Sequence, residues 1–300
     1  MLAAILTSGF FALSAIFAVR STLHLGSQRA NLARQIVALL LLGLWAHIWG
    51  QGLGGSTLLI FFISGVLGFG LGDWALFEAF PRIGSSLTVL LCQCLAVPIA
   101  AVTEWIWLGT RLSLLQMGAS LVILLGVTLA LIPARNSPVP VGHRVSGTIY
   151  GVIAAVGQAW GAVVSRYGFA RAHEAGFFLD GFTTAYQRLW GGVVSIALLL
   201  VLRQLTRRWH SPGAVAVRPD WRLGWPWILA NAVSGAVLGV GCYQWALKST
   251  PSAIVLPIVA TTPLITMAIA AVFEGFRPPR RAIIGAVLGV VGVAILVSNS

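Results

Sequence analysis

The sequence predicts an all-α integral membrane protein: ten transmembrane helices forming two inverted five-helix repeats. Three observations predict it: a composition that water cannot solvate, ten apolar runs of spanning length, and a motif that recurs in register in the second half. Of the 300 residues, 58% are hydrophobic before the 34 Gly are counted, and 9% are charged. Soluble globular chains average about 45–50% apolar with Gly included and about 25% charged. A soluble fold of this length would lack charge for its surface, which excludes a soluble enzyme, a nucleic-acid reader and a disordered chain. The net charge of +12 is scattered between apolar runs and forms no basic cluster of the kind that binds nucleic acid.

A helix needs about 20 apolar residues to cross a bilayer. Candidate runs lie near 2–19, 35–50, 57–79, 84–103, 114–132, 147–165, 177–202, 223–247, 252–273 and 281–298. Such lengths exclude a β-barrel, whose strands would alternate over about 10 residues. The first run lacks the basic start of a secretory signal and reads as span 1. The second is short and takes Asn31–Arg34 as its first turn. The longest connections, 134–146 and 203–222, are too short for a nucleotide-binding engine. Cys92, Cys94 and Cys242 fall within spans and read as small apolar side chains. The five His (24, 47, 143, 173 and 210) show no i, i+3 or i+4 pairing, so neither a metal nor a cofactor is expected. The stretch GQGLGG at 50–55 matches a dinucleotide fingerprint in letters only, since it follows no strand and opens no nucleotide-binding helix.

The two halves are copies. Residues 66–76 read VLGFGLGDWAL and residues 237–247 read VLGVGCYQWAL, matching at seven positions with an offset of 171. Glu104 and Glu274 close spans 4 and 9, Arg20 and Arg166 end spans 1 and 6, and Arg34 and Arg188 begin spans 2 and 7. Downstream, LGVTLALI (125–132) parallels VGVAILVS (291–298). The units are therefore 1–133 and 147–300, joined by a linker at 134–146. Five spans is an odd number, so the second copy enters the membrane from the opposite side. Inverted repeats mark many secondary transporters, with the substrate site near mid-membrane at the repeat interface. Gly-x-x-x-Gly pairs at 68/72, 147/151, 157/161, 235/239 and 285/289 let helix backbones approach closely in lipid.

Each half also carries one order of residues. Trp74-Ala75-Leu76 is followed by Glu104, Gly118 and Gly126-Val127. Trp245-Ala246-Leu247 is followed by Pro263, Glu274, Gly285 and Gly292-Val293. This order resembles the EamA family of the drug/metabolite transporter superfamily over nearly the whole chain. Arg34 and Arg188 match that family's Arg at the start of the second helix of each repeat. The resemblance implies a transporter but no particular cargo, because relatives move amino acids, other metabolites or nucleotide sugars. The first repeat departs from the pattern: Cys92 stands where the second has Pro263, Pro98 is displaced, and a longer connection follows Glu104.

Ionisable groups inside spans are costly, about 2.5–3.5 kcal/mol for Asp at a helix centre. Asp73 is the clearest, and Gln244 is its repeat mate, each one residue before the paired Trp. One reading is a polar pair facing a central chamber, with Asp73 holding a substrate ammonium or a coupling proton. The other is a carboxylate close enough to its helix end to reach water. The expected substrate-binding set is Asp73, Trp74, Gln158, Trp160, Tyr243, Gln244 and Trp245. The expected coupling or gating set is Asp73, Glu104, Glu274, Arg34, Arg188, Pro98 and Pro263. Glu78 reads as interfacial. Arg34 and Arg188 read as interfacial anchors or carboxylate partners, and Glu104 and Glu274 as helix-end anchors or gate-side ion pairs. Pro98, Pro257 and Pro263 are expected to interrupt spans 4 and 9.

The resulting expectation is a non-enzymatic secondary carrier working by alternating access. Its cargo is a small polar metabolite, an amino acid or related zwitterion, and its coupling ion, where coupled, is H+. Its other partner is membrane lipid, without nucleic acid, and both monomer and homodimer stay open. A carrier of sugars or organic anions, with Arg34 and Arg188 as ligands, and a non-transporting scaffold are the alternatives. Eighteen Arg against one Lys fit a bacterial inner-membrane setting. Odd-numbered connections hold 14 Lys and Arg against 4 in the even ones and the termini. The positive-inside rule then puts both termini outside, whereas the family resemblance implies both inside.

Overall fold

The computed structural model describes residues 1–131, 141–206, 219–273 and 279–299, with most side chains in those segments. Every element among them is helical. In order they are α1 (Leu2–Leu25), α2 (Ser27–Ile48), α3 (Leu58–Gly65), α4 (Trp74–Leu108), α5 (Leu114–Leu131), α6 (Val141–Glu174), α7 (Gly181–Thr206), α8 (Trp221–Asn231), α9 (Val240–Ser249), α10 (Ser252–Val259), α11 (Thr262–Phe273) and α12 (Arg280–Ser298). Two π-helical segments, Val66–Asp73 and Ala232–Gly239, join α3 to α4 and α8 to α9. Among the described residues nine segments are long and apolar enough to cross a membrane, and Leu114–Ala130 is a further, shorter apolar helix.

Packing fixes the direction of each helix. Gly168 lies on Phe61, Gly161 on Gly68, Gly157 on Gly72 and Gly147 on Ile83, so α6 is antiparallel to residues 61–83. Further along, Gly151 packs on Leu91, Arg166 meets Glu104 and Tyr167 stacks on Trp107. Residues 91–107 therefore run parallel to α6. The chain reverses between Ile83 and Leu91, so α4 finishes one crossing and makes the next. In the same way α1 is antiparallel to α8–α9, through Leu25 on Gly224, Ser14 on Gly235 and Phe11 on Gly239. α2 is antiparallel to α7, through Gln35 on Gly192, Tyr186 on Gly43 and Thr183 on Gly50. α5 is antiparallel to α12, through Gly126 on Gly285 and Ile123 on Gly292.

One close crossing joins two of the Gly-x-x-x-Gly motifs. A β-carbon on Gly157 would lie 2.6 Å from Gly72 Cα, and one on Gly161 would lie 3.0 Å from Gly68 Cα. Only backbone fits between α6 and the first π-helical segment. Small residues serve this purpose in lipid, where association relies on packing rather than on expulsion of water. A buried core runs from Phe61 and Val97 through Ile123 and Leu247 to Ile258 and Leu296.

Proline breaks one of the two spans expected to be interrupted. Span 9 divides at Ala260–Thr261, with Pro263 in the first turn of α11 and Pro257 inside α10. Span 4 does not divide, since α4 continues past Pro98 to Leu108. Pro98 lies on the exposed side, where the helix accommodates one missing N–H without parting. Glu274 lies outside the described residues.

Candidate substrate site at the centre of the bundle

The centre is polar and closed. Asp73, at the end of the first π-helical segment, is 6% exposed. Arg34 Nη2 of α2 donates to Asp73 Oδ2 at 2.5 Å, and Gln158 Nε2 of α6 donates to Asp73 Oδ1 at 3.1 Å. Asn31 Oδ1 accepts from Arg34 Nη2 at 3.0 Å and from Gln35 Nε2 at 3.2 Å. Asn31, Arg34 and Gln35 share one face because residues three and four apart lie together on a helix. Asp73 thus does not reach water, and both of its oxygens are occupied.

Arg188 of α7 is 3% exposed, so it is no interfacial anchor. Its guanidinium lies over Gly68, where a β-carbon would stand 2.7 Å from Nη2, and 5.2 Å from the Phe69 ring centroid. The missing side chain at Gly68 makes the seat, and the ring face favours a cation. Among the described residues no carboxylate pairs with Arg188 and its Nε has no hydrogen-bond partner. Asp73 and the Tyr243 hydroxyl are within electrostatic reach. Tyr243 is 5% exposed and Gln244 fully buried, and the Tyr243 hydroxyl and both Gln244 amide atoms lack partners.

Each end of the bundle is latched. At one, Arg82 Nη1 pairs with Glu78 Oε2 at 2.8 Å, Gln28 Nε2 donates to Glu78 Oε1 at 3.1 Å, and Arg82 lies over Tyr150. Glu78, expected at the interface, is buried here, because α6 and α2 close over it. Trp74 packs edge-on against Tyr150 at 5.5 Å. A shallow surface crevice beside it is lined by Gln28, Trp74, Ile196, Leu199 and Leu200. At the other end Glu104 is fully buried. It accepts from Ser252 Oγ at 2.5 Å and Ala253 N at 3.0 Å, and lies 3.7 Å from Arg166 Nε. A carboxylate there also satisfies the free N–H groups at the start of α10. Arg166 in turn donates to the carbonyls of Leu247 and Lys248.

The expected set is therefore brought together only in part. Asp73, Gln158, Arg34, Arg188, Tyr243 and Gln244 lie in the interior. Trp160 and Trp245 do not: they are 43% and 59% exposed. Each successive residue turns about 100° round a helix, which carries Trp160 away from the face of Gln158 and Trp245 away from that of Gln244. Asn31, Gln35 and the π-helical segments were not expected. The amides were legible as polar residues flanking Arg34 in an apolar run. The π turns had no sequence signal beyond their glycines, although such turns are frequent at functional sites. The GQGLGG stretch is a turn whose Gly52 and Gly54 carbonyls accept from Gln187 Nε2 at 3.1 Å each.

No curated protein sequence matches the chain. A solved structure, described only as the crystal structure of a protein, shares the fold with a TM-score of 0.72 at 18% identity, covering 97% of this chain and 94% of that one. The EamA-like transporter family matches twice, over residues 1–132 and 145–298. With the apolar helices and the charge-bearing interior, this makes the protein a multi-pass membrane transporter of small solutes, and the chain belongs to the EamA-like transporter family.

Proposed function

We propose that the chain is a secondary carrier of a small polar metabolite, an amino acid or related zwitterion, built from two inverted five-span repeats at 1–133 and 147–300. The observation that carries this reading is a buried polar centre shut off by a separate ion-paired latch at each end. A carrier must open one end while the other stays closed, and two independent latches permit that. The helix directions support the inversion. Mates α2 and α7 run antiparallel, as do α5 and α12, and the antiparallel pairing of span 1 with span 8 is matched by that of span 6 with span 3. In this reading the bilayer is a bacterial inner membrane.

Asp73 is the candidate proton carrier. Protonation would weaken its hold on Arg34 and free the contact between α2 and the first π-helical segment. The test is counterflow of labelled amino acids into proteoliposomes holding the purified protein. Wild type should accumulate a subset of them saturably and faster under an imposed pH gradient; Asp73→Asn should retain counterflow but lose the response to the gradient. Absence of saturable accumulation across the amino-acid panel would defeat this reading, and an unchanged pH response in Asp73→Asn would remove Asp73 from coupling.

A further inference from the structure

We propose that Arg188 is the ligand for a carboxylate on the transported solute, with the Tyr243 hydroxyl as its second contact. The inference rests on the carrier reading and deepens it by naming the group recognised. The buried acids among the described residues each have a base: Asp73 has Arg34, Glu78 has Arg82 and Glu104 has Arg166. Among the described residues Arg188 is the buried arginine without a carboxylate partner. Removing an ion from water without a partner costs several kcal/mol, so a chain that keeps Arg188 3% exposed leaves a strong demand for an anion in its centre.

The repeat shows that this demand is specific to one half. Around Arg34 stand Asn31 and Gln35 on its own helix, Asp73 on span 3 and Gln158 on span 6. The register positions in the other copy are Ala185, Leu189, Gln244 and Ala12. Every group that neutralises or braces Arg34 is replaced by an apolar residue or a neutral amide. Gln244 accordingly has no partner for either amide atom. Asp73 pairs with Arg34 and accepts from Gln158, and it meets Arg188 only through its longer-range field. A guanidinium offers parallel N–H groups that match the two oxygens of a carboxylate, and the Phe69 ring and Gly68 hold it in place from behind. An ammonium at Asp73 would compete there with the Arg34 guanidinium and the Gln158 amide. Recognition in this conformation is of the acid.

The test uses thermal unfolding of the purified full-length protein in detergent, with pairs of probes that differ only at the carboxyl group. These are L-phenylalanine against L-phenylalaninamide and lactate against lactamide, with sodium chloride at equal ionic strength. The acid of at least one pair should stabilise the wild type and its amide should not. Arg188→Gln should weaken the acid's apparent affinity at least tenfold while unfolding no earlier than wild type in the absence of solute, since a buried charge has been removed. A response to lactate alone assigns an organic acid, a response to phenylalanine alone a zwitterion, and both outcomes support the site. Equal stabilisation by acid and amide, equal stabilisation by chloride, or a full acid response in Arg188→Gln overturns the inference while leaving the carrier reading intact. Should Arg188→Gln not fold, Arg188→Lys keeps the charge but loses the paired N–H geometry, and an undiminished acid response in it overturns the proposal. No stabilisation by any probe, with no accumulation in proteoliposomes, overturns both.

Discussion

Arg34 and Arg188 occupy the same register position in the two halves and have opposite surroundings. Arg34 is met by a carboxylate at 2.5 Å and an amide at 3.0 Å. Arg188 is met by a phenyl ring and a glycine. The comparison shows two matching positions doing different work. Arg34 forms a structural pair that ties α2 to the first π-helical segment. Arg188 has no carboxylate partner among the described residues and rests on Gly68 and the Phe69 ring.

The largest expected effect breaks the paired side. Asp73→Asn leaves Arg34 buried without its counter-charge, and breaking one partner of a buried pair costs about 3–5 kcal/mol. Thermal unfolding in detergent should fall accordingly, and the double variant Arg34→Gln with Asp73→Asn should recover most of the loss. Arg188→Gln should show no such fall. A similar loss at both arginines would erase the distinction.

A smaller effect is expected at the latch beside Lys248. Glu104→Gln keeps the shape but removes the charge received by Arg166, Ser252 and Ala253. Hydrogen bonds to a charged group are worth about 1.5–3 kcal/mol, and a loss of that order should appear as earlier unfolding. The carboxylate response at Arg188 should survive, because the latch is not part of that site. The smallest effects separate the central crossing from the lipid-facing surface. Gly157→Ala sets a methyl against the Gly72 backbone, and overpacking costs about 1–3 kcal/mol. Gly118→Ala meets nothing within 4 Å and should be neutral or stabilising by up to about 1 kcal/mol through helix propensity. The difference between the two unfolding temperatures measures how tightly α6 grips span 3.

Much of the fold was legible in the sequence because a bilayer accepts few solutions. Backbone groups in lipid must be bonded within the segment, so long apolar runs become helices. The Gly-x-x-x-Gly spacing of 157/161 and 68/72 marked the crossing correctly. Side-chain phase was less legible. Trp160 and Trp245 stand next to interior residues in sequence but on the outer face in space. The π-helical turns at 66–73 and 232–239 shift the helical phase without a pattern that marks them. Pro98 shows the same limit, because a proline's effect depends on the contacts around its helix.

By itself the sequence determined that the chain is helical and lies in lipid, and its internal register predicts a doubled chain, because composition, run length and register are properties of the linear chain. Tertiary structure alone decided which charges meet. Arg34 and Asp73 are 39 residues apart, Glu104 and Ser252 are 148 apart, and among the described residues Arg188 has no carboxylate partner although Arg34 has one. Electrostatic pairing acts over a few ångströms of space, and those distances exist only once the helices have packed.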